Sequence, residues 1–376
     1  MKPLKSLVRA AKRPRAAART RPARLVIHIG DHKTGSTSIQ YAFARGQVRL
    51  GGAAVAYPTK LNHSFLRKQC SAYANGAAPA RAAAEEVFRR LARRIATSGA
   101  PAALISAEAL ENVPPGLLHE VVTGFFAEAA DEIRVVAYVR PHAARFLSNY
   151  AEQIKIGSFA GDLEAYFAHV QDKGRLDYQP RFAAHRAAFG DAFLLRPMIR
   201  EQLTGGDILA DFAAHAFPGA ELAPAAGTAN ESLSLEDLMR LKLLQARLGD
   251  APQKLRHALG WEFARLVADL PPPQSRTRLQ LHAGLAGRLH EACLADARAL
   301  DAGFFGGQAL LEGELTRARD GAVPVAQPTE PAAWFSAAEL RTLELLSDLV
   351  AGQLEADGVN WVQELRRRRL VDEVPG

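Results

Sequence analysis

The chain is poor in cysteine. Cys70 and Cys293 are its only two, far apart in 376 residues, and this excludes a disulfide framework and a cysteine-rich metal site. Nor is there an apolar run of the roughly 18–20 residues that a bilayer-spanning helix needs. The first residues, MKPLKSLVRAAKRPRAAARTRPAR, are interrupted by charge throughout, so no secretory core follows the N-terminus. Acid is missing there as well. Nine of the 47 Lys and Arg residues fall in the first 24 positions without one Asp or Glu. The rest of the chain has 38 basic residues (47 less nine) against 40 acidic ones, so the net charge of +7 belongs to the tail and not to the folded part. Residues 1–23, with Pro3, Pro14 and Pro22, read as a disordered basic arm, either merely solvated or weakly attracted to an anionic surface; an Arg-rich, acid-poor start is also the pattern of an organelle transit peptide. A cytoplasmic protein is expected, peripheral to a membrane at most, with no specific nucleic-acid partner. No group of His, Cys, Asp and Glu has metal-ligand spacing, so no metal is expected. There is no internal repeat.

The remaining composition, 48% hydrophobic and 23% charged, is that of an ordinary globular protein. Short apolar runs alternate with helical periods. ARLVIHIG (23–30), AVAYP (54–58), AALIS (102–106), EIRVVAYVR (132–140) and AFLLRPM (192–198) read as strands. STSIQYAFARGQVRLGG (36–52), ARAAAEEVFRRLARRIATSG (80–99), GLLHEVVTGFFAEA (116–129), PHAARFLSNYAEQIKIG (141–157) and GGDILADFAAHAF (205–217) read as helices, and the polar residues 59–79 as a loop over the site. Val135–Val139 is apolar without a break, as in a central strand of a parallel sheet. The alternation predicts an α/β fold of three layers, helices on both faces of a parallel sheet, over residues 24–230. Beyond that the strands stop. Residues 231–376 carry only helical periods, broken by LPPPQS (270–275) and VPVAQPTEP (323–331), and form a helical extension.

The chemistry concentrates in one stretch, IHIGDHKTGSTSIQ (27–40). Glycines at 30 and 35 between a buried strand and a helix make an anion cradle: backbone N–H groups point inward and the helix N-terminus adds positive partial charge. An ATP-binding loop reads G-x-x-x-x-G-K-S/T, with lysine directly after the second glycine. Here that position is Ser36, and the lysine, Lys33, lies inside the loop among the hydroxyls of Thr34, Ser36 and Thr37. No apolar strand ending in a Walker B aspartate stands out.

KTGSTS after an apolar strand resembles the 5′-phosphosulfate loop of the sulfotransferases that use 3′-phosphoadenosine 5′-phosphosulfate (PAPS), of general form P-K-S/T-G-S/T-S/T, with His32 where that family often has proline or glutamine. The second family motif is an arginine ending a central strand and a serine eight residues on. Arg140 closes AYVR, and Ser148 stands eight residues later in RPHAARFLSNY. The resemblance covers residues 24–218 and, more loosely through NESLS (230–234), extends to bacterial members. It implies a P-loop fold and PAPS as co-substrate. It also implies a phosphosulfate site of Lys33, Thr34, Gly35, Ser36, Thr37 and Ser38, and a 3′-phosphate site of Arg140 and Ser148. Lys33 would stabilise charge on the leaving phosphate. Transfer to a hydroxyl or amine needs a general base. Many carbohydrate sulfotransferases use a glutamate, and Glu108 follows the strand AALIS, so Glu108 is the expected base and a glycan the expected acceptor; its bland role would be a helix N-terminal acid. His32 and His63 are the runners-up for the base and candidate acceptor contacts, with Tyr150. Arg145, Lys155, Arg196 and Arg200 remain ambiguous between ligand contact and solvated surface. The competing readings are a small-metabolite kinase and a non-catalytic nucleotide-binding scaffold.

Overall fold

The computed structural model describes residues 21–31, 33–223, 233–271, 276–356 and 358–373. The basic arm up to residue 20, His32 and the first three residues of NESLS therefore lie outside the described residues. In chain order the elements are β1 (Arg24–His28), α1 (Ser36–Ala44), β2 (Val48–Leu50), β3 (Ala53–Ala54), α2 (Phe65–Asn75), α3 (Ala78–Ala96), β4 (Ala102–Ser106), α4 (Pro115–Phe126), β5 (Glu132–Val139), α5 (His142–Lys155), α6 (Leu163–Asp172), α7 (Gln179–Phe189), β6 (Phe193–Pro197), α8 (Ile208–Ala216) and β7 (Ala220–Leu222). Among the described residues only helices follow as regular elements: α9 (Leu235–Arg247), α10 (Gln253–Asp269), α11 (Ala283–Phe304), α12 (Leu310–Asp320), α13 (Ala337–Leu354) and α14 (Trp361–Glu373).

The central sheet is parallel, in the order β4-β1-β5-β6. Its strands read as continuous apolar runs because both faces are buried. Strand alternation sends Leu25, Ile27, Ala103, Ile105, Val135, Ala137 and Val139 to one face, and Val26, Leu104, Val136 and Tyr138 to the other. The first face is covered by residues of α3, α4, α5 and α7, the second by Ile39 and Phe43 of α1 and Phe212 of α8. Helices therefore lie on both sides. The chain leaves β1 for β4 on one flank and later for β5 on the other. The carboxyl end of β1 is thus where strand order reverses, the place where open α/β sheets receive ligands.

Leu235, Leu238 and Met239 of α9, Leu285 and Leu289 of α11, and Leu311 and Leu315 of α12 belong to the same apolar cluster as the first sheet face. The C-terminal helices are continuous with the core of the sheet, and α9, α11 and α12 all contact α5.

Three local expectations change. The helix read over 36–52 ends at Ala44, because Gly46 adopts φ 65, and Val48–Leu50 pairs antiparallel with β3 and β7 in a small second sheet. Of the strand read over 54–58, Ala54 joins β3, and beyond it Ala56 makes a single bridge, accepting from Leu104 N–H and donating to Ala102 O. The loop read over 59–79 contains α2. Leu66, Cys70 and Tyr73, spaced for one helical face, bury it against the core. Among the described residues no helix is long and apolar enough to cross a membrane.

Candidate functional site

The turn after β1 is built for close approach. Tyr138 N–H donates to Gly30 O, and Gly30 has φ 84, which a side chain rarely adopts. A Cβ at this position would stand 2.8 Å from the Cα of Glu108, so only glycine lets the loop lie against the end of β4. Lys33 is the sole non-glycine residue with positive φ (67) among the described residues, a conformation that costs about 1 kcal/mol. Backbone strain held by surrounding contacts is a feature of ligand loops. Thr34 Oγ1 donates to Asp31 O at 2.5 Å and braces the turn from inside. Gly35 (φ 77) then leads into α1, whose first turn has no acidic residue and no side-chain cap. The first N–H groups of a helix have no intrahelical acceptor. Beside them Ser36 is 1% exposed, and its Oγ has no hydrogen-bond partner among the described residues. A buried, unpaired hydroxyl at an uncapped helix N-terminus is what an anion-binding turn presents. Thr37 and Ser38 are half-buried on the same first turn.

One face of α5 grips this loop. Arg145, Ser148, Glu152 and Lys155 are spaced three, four and three residues apart, the period of a single helical stripe. Arg145 pairs with the buried Asp31 carboxylate, which Arg181 of α7 also reaches at 2.9 Å, and both guanidiniums face Glu111. Ser148 Oγ accepts from Arg140 Nη1 at 3.2 Å, and the same nitrogen donates to Lys33 O at 2.9 Å. Glu152 Oε2 lies 2.9 Å from Lys33 Nζ and 2.7 Å from Lys155 Nζ. Lys155 Nζ in turn stands 3.5 Å over the ring of Trp261 in α10. Burial and the nearby Arg278 guanidinium hold Arg140 below the ordinary arginine range. Burial alone would raise the Glu152 carboxyl, but Lys155 and Lys33 outweigh it, and the net direction is down.

Arg140 and Ser148, eight residues apart in sequence, are thus brought together, and both are brought to Lys33. Glu108 opens a 3₁₀ turn directly after β4, at the carboxyl edge and against the loop. His63 is not on an open loop. It is fully buried, its Nδ1 accepts from Ser106 N–H at 3.2 Å, and its backbone N–H donates to Ser106 O. His28 joins the same cluster, with Nδ1 2.9 Å from Ser106 Oγ, to which Gln40 Nε2 also donates. Tyr150 is wholly buried, packs on Phe159 and Tyr166, and donates to Gly161 O at 3.0 Å, so here it serves the core. Arg196 belongs to another network, pairing at 2.7 Å with Asp211, which also accepts from Tyr138 OH. Arg200 sits in a short 3₁₀ turn beyond β6.

Sequence reasoning missed Asp31, Glu111, Arg181, Glu152 and Arg278. Glu152 and Arg181 meet the loop, Arg278 faces Arg140, and Glu111 faces Arg145 and Arg181, all through tertiary contact across many residues; only the acid inside the loop, Asp31, was open to notice as a charge needing a partner. Compared with known proteins, the chain matches no family model, no curated protein and no solved structure.

Proposed function

We propose that the chain is a PAPS-dependent sulfotransferase on a three-layer P-loop fold, transferring the sulfuryl group to a hydroxyl of a carbohydrate acceptor. The observation that carries this reading is the shared donor Arg140 Nη1, which links Ser148 Oγ to Lys33 O. It puts a guanidinium and a hydroxyl, suited to a phosphate monoester, beside a cradle suited to a second anionic group. PAPS is a nucleotide with anions at both places. The unpartnered Ser36 Oγ and the uncapped first turn of α1 fit the phosphosulfate end. Arg278, a second cation near Arg140, fits the 3′-phosphate end.

The residues then divide the work. Ser36, Thr37, Ser38 and the N–H groups of the first turn hold the 5′-phosphate. Lys33 neutralises the charge that grows on the bridging oxygen as the sulfur–oxygen bond breaks. Arg140, Ser148 and Arg278 select a nucleotide with a 3′-phosphate. Glu108 takes the proton of the acceptor hydroxyl as its oxygen bonds to sulfur. The imidazole of His63 suits that role less: its Nδ1 is occupied by Ser106 and burial pushes its pKa down to about 4. Glu152 is already the counter-ion of two lysines.

Calorimetric titration of PAP, ADP and ATP, with and without Mg²⁺, tests the donor. PAP is expected to bind about a hundredfold tighter than ADP without metal, and Arg140→Ala to remove that discrimination, because a charge-assisted contact is worth about 1.5–3 kcal/mol. Preference for Mg·ATP, indifferent to Arg140, would make the chain a kinase instead. Glu108→Gln is expected to lower kcat about a hundredfold and leave PAP affinity unchanged. Full turnover in that variant would remove Glu108 as the base.

A further inference from the structure

The loop lysine already has a partner. Lys33 Nζ sits 2.9 Å from Glu152 Oε2, and the carboxylate is largely shielded from water, with 17% of its side chain exposed. Any anion that uses Lys33 must first take it from Glu152. The second lysine makes this exchange cheap. Lys155 Nζ binds the same oxygen at 2.7 Å, is itself 10% exposed and is pinned over Trp261. When Lys33 leaves, Glu152 keeps one cation, and no uncompensated buried charge is created. The loop backbone need not follow, because Arg140 holds Lys33 O and the positive φ fixes the residue, so the movement is confined to the four-carbon side chain.

We infer that Glu152 is a positioning and specificity-determining residue, an internal competitor that sets how much negative charge a ligand must bring before Lys33 engages it. Multiply charged phosphate groups outcompete the carboxylate, whereas chloride, acetate and other monoanions do not. Lys155 sets the threshold from the other side by sharing Glu152. The inference deepens the reading above and rests on the loop being an anion site.

Inorganic pyrophosphate is the probe, titrated into the full-length protein by calorimetry with chloride as competitor, after thermal melts have shown each variant folded. Glu152→Gln is expected to bind pyrophosphate about tenfold tighter and to become sensitive to chloride. Lys155→Met, which leaves Glu152 to Lys33 alone, is expected to bind about threefold weaker. The double variant should behave like Glu152→Gln. A purely structural role for the stripe would weaken binding in both single variants, and that result, with wild-type binding intact, would overturn the inference and leave the proposed function standing. No binding of pyrophosphate or PAP to the wild type would overturn both.

Discussion

Replacing Lys33 with methionine is expected to slow sulfuryl transfer about a thousandfold while PAP affinity changes by no more than about threefold. The asymmetry follows from where the charge is needed. A cation aimed at a developing oxyanion in a partly dehydrated site is worth roughly 10²–10³ in rate. It contributes to kcat only through what it gains between ground state and transition state. On the function proposed above, PAP would be held chiefly by other groups: Arg140, Ser148 and the first-turn N–H groups of α1. The lysine also gives up an ion pair to reach a ligand, which reduces its net share of ground-state binding. Methionine keeps the length and packing of the side chain. Single-turnover release of PAP from PAPS, in the presence of a panel of polysaccharide acceptors, reads the first quantity, and PAP calorimetry the second. An unchanged rate would take Lys33 out of the reaction. A collapse of PAP affinity would make it a binding residue.

Stability is expected to fall steeply as the pH drops from about 6.5 towards 4. His28, His63 and His185 are all buried, and their pKa values are pushed down to about 3, about 4 and about 4. Burial is the main cause in each; at His63 the Ser106 hydrogen bond opposes it and Arg94 adds to it, while Arg181 adds to it at His185. The unfolded chain binds a proton at each near pH 6.5, the folded chain only far below. The stabilising difference is therefore complete above pH 6.5 and is lost as pH falls through the window between the two values. Each imidazole contributes about 1.4 kcal/mol per pH unit within it, so three together contribute about 4 kcal/mol per unit. Against a typical total of about 5–15 kcal/mol, a loss of about 4 kcal/mol per unit over the roughly 2.5 units between pH 6.5 and 4 is enough to unfold a chain in the lower half of that range. Urea unfolding between pH 7 and 4.5 measures the slope. His185→Phe, which keeps the stacking on Phe193, should remove about a third of it. A flat profile down to pH 5 would mean that water reaches these rings.

Much of the sheet was legible because its signals are local. The unbroken apolar run of β5 and the glycines at 30 and 35 carry their meaning within a few residues, and the motif pair Arg140–Ser148 needs only one helix to close. What could not be read depends on distant partners. The stretch 59–79 looks polar along the chain, and its helix follows only from Leu66, Cys70 and Tyr73 finding the core. Tyr150 lies two residues past Ser148, but a helix turns about 200° over that interval, which carries it from the loop into the interior. Glu152 could not be paired in advance, since Lys33 is 119 residues away. Arg181 and Asp31 are separated by 150 residues, and neither announces the other.

The stripe on α5 makes the reading frame of one helix critical. Three separate holds on the loop (Arg145 on Asp31, Ser148 with Arg140 on Lys33 O, Glu152 on Lys33 Nζ) share a single rotational phase. A substitution removes one of them. An in-frame gain or loss of one codon between Arg145 and Ser148 would turn everything beyond it by about 100°. Ser148 and Glu152 would then leave the loop together, so this stretch should tolerate point changes far better than changes of length.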